Sequence, residues 1–150
     1  MAQTFASLTN SMVAIEKLYE VGEYQLIQPM RKGKWSVREV VGHLESWDTH
    51  ILSEWVPAIE EGARLSAFPD HDTFNHEAIE MRKNLDVKTS LDQFLTTRKK
   101  LISQLLAIDP NVRFTIGDGK RQFSVETFAK MFAKHDQHHM KQIEEFLSNE

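Results

Sequence analysis

Phe128-Ala129-Lys130-Met131-Phe132-Ala133-Lys134-His135-Asp136-Gln137-His138-His139-Met140-Lys141-Gln142-Ile143-Glu144-Glu145-Phe146 places its apolar and imidazole side chains at steps of three and four, the periodicity of an amphipathic helix. With Phe128 as zero and an advance of about 100° per residue, His135 falls about 20° to one side and His139 about 20° to the other. Phe132, Ile143 and Phe146 share that arc, while Lys130, Lys134 and Lys141 lie opposite. Two imidazoles are thus predicted at the centre of an apolar stripe, one turn apart. Their Cβ atoms are expected about 5–6 Å from each other, within reach of a single ion. His138 falls toward the stripe's edge.

Working back from this helix, which follows Ser124, the same periodicity recurs three times. From about Thr4 to Gln28, Phe5, Leu8, Met12, Ile15, Tyr19 and Leu26 form one stripe, ended by Pro29 and Gly33. A second helix opens at Ser36-Val37-Arg38-Glu39, a capping box in which the Ser and Glu side chains satisfy exposed N–H groups reciprocally. Val37, Val40, Val41, Leu44, Trp47, Ile51 and Trp55 form its apolar face, and it ends near Pro57 to Gly62. A third is predicted from a capping box at Ser90-Leu91-Asp92-Gln93, through Phe94, Leu95, Leu101, Ile102 and Leu105, to Asp109-Pro110. The stretch from about Gly62 to Thr89 is longer than a bundle turn requires and is expected to hold a short helix around Phe74 to Arg82. Its reach allows helices two and three to run parallel. Phe114-Thr115-Ile116 and Arg121-Gln122-Phe123, flanking Gly117-Asp118-Gly119-Lys120, read as a small hairpin or an ordered loop. The fold class is all-α, a four-helix bundle in one domain over residues 1–150.

Composition bounds what such a bundle does. The chain has 150 residues, 18 basic and 22 acidic, a net charge of −4 and no cysteine. Without Cys there is no disulfide scaffold, thiolate zinc site, iron–sulfur cluster or cysteine nucleophile. The mild acidity speaks against a nucleic-acid binder. The N-terminus reads as neither a secretory signal nor a membrane span, so no membrane association is expected and the cytoplasm is the default compartment.

A third ligand for the His135–His139 pair must come from another helix. His43 flanks the stripe of helix two and His50 lies on the same edge two turns on; phase favours His43 only slightly. A lone inward histidine is more often a core residue satisfied by one hydrogen bond. Two on a Phe-rich stripe are harder to explain that way, because each unpartnered ring nitrogen costs about 1–3 kcal/mol to bury. A polar network or a cluster of charged histidines with carboxylates is the competing structural explanation.

Lys34-Trp35-Ser36-Val37-Arg38-Glu39-Val40-Val41-Gly42-His43-Leu44 resembles the first signature of the DinB-like superfamily of metal-binding bundles, and His135-Asp136-Gln137-His138-His139-Met140-Lys141-Gln142-Ile143 its C-terminal one. Their order, their separation and the long middle connection agree with that family over nearly the whole chain. The resemblance implies an up-down-down-up four-helix bundle with a long helix 2–3 crossover, commonly a homodimer, with a divalent metal held by His43, His135 and His139. It leaves His50, His71, His76 and His138 outside the ligand set. Phe68-Pro69-Asp70-His71-Asp72-Thr73-Phe74-Asn75 is similar to a variable segment near the site, with Asn75 behind the ligands.

Three His ligands leave a coordination position open, as catalytic sites do. The first expectation is a thiol S-transferase, in which the metal stabilises the thiolate of a low-molecular-weight thiol cosubstrate. The alternatives are a metal-dependent hydrolase activating water, and a non-catalytic, stress-related dimeric binding module with a vestigial metal site. Hydrolysis calls for a carboxylate base. Asp48 and Asp136 fall about 80° from their stripes, and Glu54 lies about 16 Å along the helix from His43. Glu16 and Glu23 flank the first stripe. Most of these carboxylates read as solvated surface charges, so the thiol route, which needs no base, is preferred. The basic run Arg31, Lys32, Lys34, Arg38 suits a cofactor's carboxylates or a phosphate, or is a solvated loop. Zn, Ni, Fe and Mn all accept imidazole.

Overall fold

The computed structural model describes residues 2–149, so Met1 and Glu150 lie outside the described residues. Its elements are α1 (Ala2–Glu16), α2 (Glu23–Ile27), α3 (Val37–His50), β1 (Arg64–Leu65), α4 (His71–Arg82), α5 (Val87–Leu106), β2 (Thr115–Ile116) and α6 (Val125–Ser148). α1, α3, α5 and α6 form the four-helix bundle, with the up-down-down-up order that the long α3–α5 crossover permits. α1 lies against α5 and α6, α3 lies against α5, and α4 covers the outer side of α3. No helix among the described residues is long and apolar enough to cross a membrane.

Local chemistry explains most boundaries. Ser36 accepts a hydrogen bond from Glu39 N at 3.1 Å while Glu39 accepts from Ser36 N at 3.0 Å, the capping box that starts α3. Ser124 and Thr127 do the same for α6. The first predicted helix is broken: α1 gives way to a 3-10 turn (Lys17–Glu20), then to extended backbone at Val21, before α2. Gly22, a poor helix former, stands at the break. Tyr19 consequently leaves the predicted stripe; it is 42% exposed, and its hydroxyl donates to Asp92. α5 begins earlier than predicted. Asp86, not Ser90, is its cap, accepting from Thr89 N at 2.7 Å, and Ser90 is buried inside the helix. α4 likewise starts three residues before Phe74, capped by Asp70.

α3 passes into a π-helical turn at Ile51–Trp55, which swings Trp55 fully into the core. The predicted hairpin exists only at its base. Phe114 and Phe123 exchange backbone hydrogen bonds at 3.1 and 2.7 Å, whereas Thr115 and Ile116 pair in parallel with Arg64 and Leu65. This two-stranded patch ties the long crossover to the loop before α6. Gly117 has φ +59, and Ala67 packs where its Cβ would lie, so glycine is required there.

The core has two parts, one around Trp55, Leu101, Phe114 and Phe128 and one around Ile15, Leu44, Leu91 and Phe94. Each such side chain removed from water contributes about 1.5–3 kcal/mol. The buried face of α6 is turned from the predicted one: Ala129, Ala133 and Asp136 are buried, while Phe132 and His135 stand half-exposed at its edge. The two alanines give α1 room to approach α6. The histidines therefore face α3 rather than the middle of the bundle.

Candidate metal centre

His43 enters the second turn of α3, fixed in register by the Ser36 box, and His135 and His139 stand one turn apart on α6. Their rings meet between the two helices. His135 Nε2 lies 3.2 Å from His43 Nε2 and 3.1 Å from His139 Nε2, and one nitrogen from each ring lies within 4.8 Å of the others. The structure thus brings together the three histidines singled out from the sequence. With bonds of about 2.0–2.1 Å, two imidazole nitrogens on one ion stand about 2.9 Å apart at a right angle and about 3.3 Å apart at a tetrahedral one. The two spacings to His135 Nε2 fall inside that interval, and the third pair, His43 and His139, lies within 4.8 Å.

The protonation states suit the same purpose. Burial, then His139 and His135, pushes His43 down to about 3. Burial, then His139, pushes His135 down to about 4, and burial also lowers His139. All three rings are neutral at pH 7. His139 Nδ1 donates to Gln142 Oε1 at 3.0 Å, which leaves its Nε2 lone pair pointing at the other rings. His43 Nδ1 and Asn75 Oδ1 are both buried without a hydrogen bond of good geometry. Asn75 nonetheless acts on His43 in the sense of a hydrogen bond, raising its pKa against the stronger lowering effects. The Asn75 side chain therefore lies beside the His43 ring. Asn75 thus stands behind His43, as the resemblance implies.

The other histidines are elsewhere. His50 sits among Trp47, Trp55 and Phe74, with its ring centroid 4.8 Å from that of Trp55 and its Nε2 buried and unpartnered. His71 is exposed against Trp47, close enough to lower the pKa values of His43 and His135. His76 and His138 are exposed, the latter beside His139 at 5.3 Å between centroids. Trp35 closes one side of the site, its ring 4.8 Å from that of His43 and 6.5 Å from that of His139. Beyond Trp35 and His139 opens a cleft of about 950 Å³. A smaller depression of about 400 Å³, between the start of α1 and α6, touches none of the three rings.

Two of the carboxylates read as surface charges are nothing of the kind. Asp48 and Asp136 are buried, and both grip Arg98 of α5. Arg98 Nε and Nη2 donate to Asp48 at 2.7 and 3.1 Å, and Nη1 and Nη2 donate to Asp136 at 2.5 and 3.0 Å. Nη1 also reaches the Leu8 carbonyl of α1 at 3.4 Å, so one guanidinium joins all four bundle helices. Burial pushes Asp48 up to about 6 against the pull of Arg98, while the carboxylates hold Arg98 charged against its own burial. The bidentate contact decides that opposition in favour of the ionised pair. The phase argument failed for these aspartates because the buried face of α6 is rotated and because Arg98 draws both inward. Arg98 itself was legible, as the one cation at a core step between Phe94 and Leu101. Glu45, also buried, is held by Arg82 of α4, which lies across Gly42 where a Cβ would crowd its Cδ. Glu16, Glu23 and Glu54 are exposed.

The second and last helices of the bundle thus present three neutral imidazoles close enough together that they could hold one metal ion. The chain belongs to the DinB superfamily, whose family profile matches residues 12–143. Its fold is similar to that of YfiT from Bacillus subtilis, described as a probable metal-dependent hydrolase with an unusual four-helix bundle topology. The TM-score is 0.73 and the identity 22%, over 99% of this chain and 86% of that one. It is also similar to TT2238, described as a four-helix bundle protein, with a TM-score of 0.58 and 18% identity over 95% of this chain and 97% of that one. No curated protein matches the sequence.

Proposed function

We propose that His43, His135 and His139 hold one divalent cation and that the protein is a metal-dependent enzyme acting on a small molecule, by activating a low-molecular-weight thiol for transfer to an electrophile. The observation carrying this reading is the convergence of three neutral imidazoles, with His135 Nε2 at 3.2 and 3.1 Å from the ring nitrogens of His43 and His139 and all three within 4.8 Å. A divalent cation there would lower the pKa of whatever group takes its open position, thiol or water. The rest belongs to the chain. Gln142 fixes the tautomer of His139, Asn75 that of His43, and Trp35 keeps water from one side of the rings. Asp48, Asp136 and Glu45 are engaged by Arg98 and Arg82 and are not poised as bases, which favours the thiol route.

Hydrolysis is the second reading. The description of YfiT favours it, and His71 on α4, whose charge acts on His43 and His135, is the imidazole outside the triad to test as its base. Protein purified without a histidine tag should carry about one divalent ion per chain, since three imidazoles suffice to hold it. His139→Ala should empty the site while the helical content stays. Transfer of a small thiol to monochlorobimane by the loaded protein, lost in His139→Ala, supports the transferase reading. Cleavage of activated esters or amides without thiol, lost in His71→Ala, supports the hydrolase. Metal binding with neither activity would assign a binding module, and absence of metal from a folded protein overturns the reading.

A further inference from the structure

The cleft that opens beside His139 has a sign. Its wall before α3 carries Arg31 and Lys34, its α6 wall carries Lys141, and Glu145 is the one acidic side chain lining it. The three cations are exposed and make no ion pair among the described residues. The segment that presents the first two is built rather than loose. Met30 N donates to the Trp35 carbonyl at 3.0 Å and Lys34 N to the Arg31 carbonyl at 2.9 Å, and Pro29 bridges to Ser36. Gly33, at φ +75, makes the turn. The same turn sets Trp35 as an aromatic wall, and His139 ends the cleft on the side of the cation site.

We infer that this cleft is the substrate-binding site and that it selects a small organic dianion with a flat apolar part, its charged groups between Arg31, Lys34 and Lys141, its apolar face against Trp35 and its reacting end at His139. The inference rests on the proposed metal-centre reading, because it takes the His139 end as the reacting end. Three cations against one carboxylate leave a double positive charge, and a cleft concentrates such a field where an open surface would disperse it. Neutral molecules of the same shape gain only the Trp35 contact.

The test uses full-length protein stripped of metal, with phthalate as the aromatic dicarboxylate probe, phenyl phosphate as the phosphate probe and dimethyl phthalate as the neutral control. Binding is followed by tryptophan fluorescence and calorimetry. Phthalate or phenyl phosphate should bind while dimethyl phthalate does not, and the better of the two identifies the charged group that is preferred. Lys141→Ala and Lys34→Ala should each weaken binding about threefold to tenfold, and more salt should weaken it further, as expected for a screened exposed charge. Glu145→Gln should strengthen it. These positions are exposed, so the variants keep their melting temperature. Equal binding of the neutral diester, or anion binding indifferent to all three substitutions, overturns the inference. Metal analysis of the same wild-type preparation before stripping separates the two failures. Absence of metal with charge-dependent anion binding sinks the metal centre alone, whereas bound metal with charge-independent binding sinks this inference alone.

Discussion

Replacing Arg98 with Met keeps most of the volume of the side chain and removes the charge that holds Asp48 and Asp136 together. Their side chains are 4% and 2% exposed, so each carboxylate would be left in the core without its partner. Breaking a buried ion pair in this way costs about 3–5 kcal/mol. At about 2–4 °C per kcal/mol for a chain of this size, the melting temperature should fall by about 6–20 °C near pH 7. The pH dependence is the sharper signature. Asp48 already stands at about 6 with Arg98 in place, above its ordinary 3.8, and loss of the guanidinium raises it further. A carboxyl that holds its proton more tightly folded than unfolded gives its full stability below the unfolded pKa and loses it as pH rises through the folded one. The deficit of Arg98→Met relative to wild type should therefore be smallest in mild acid and should keep growing between pH 6 and 8. Thermal melts followed by circular dichroism across that range are the assay. Adding Asp48→Asn and Asp136→Asn to the variant should recover much of the loss and flatten its pH dependence. A deficit under about 2 °C, well below the magnitude of a broken buried pair, or one constant from pH 5 to 8, would refute the reasoning.

Asn75→Leu should weaken metal binding about 10–100-fold, the usual effect of losing the group that orients a ligand, while Asn75→Asp retains the acceptor and most of the affinity; metal titration by calorimetry reads both. Ser36→Ala should cost about 1 kcal/mol through the lost cap, seen as a melting point lower by about 2–4 °C. Tyr19, raised to about 12 chiefly by burial and then by its bond to Asp92, should ionise late in an ultraviolet titration. Asp92→Asn should bring it only part of the way back toward 10, because the burial remains.

The reading from sequence succeeded where information is local and periodic. The boxes at Ser36 and Ser124 specify their own hydrogen bonds, and the i, i+4 spacing of His135 and His139 is itself a geometric statement. The Ser90 box failed because an equally good cap lies four residues earlier at Asp86, and Val87, which follows it, gains by being buried. The first helix was read as continuous because Leu26 resumes the stripe two turns after Tyr19, and periodicity does not register a change of backbone between them. The partners of Arg98 were hidden because they lie 50 and 38 residues away, too far for a motif. The orientation of α6 was missed because Ala129 and Ala133 scarcely weigh in a hydrophobic pattern, although their smallness decides which face α1 approaches.

The guanidinium shared by four helices also acts as a ruler. His43 precedes Asp48 by five residues on α3, and His135 is the immediate neighbour of Asp136 on α6. Both intervals run between the fixed cluster and the rings. One residue inserted into the α3 interval would turn His43 by about 100° away from its partners, with every core residue on the far side of Asp48 still in place. Length changes in relatives of this chain should therefore gather at helix ends, in the crossover and in the loop before α6, and spare these two short spans.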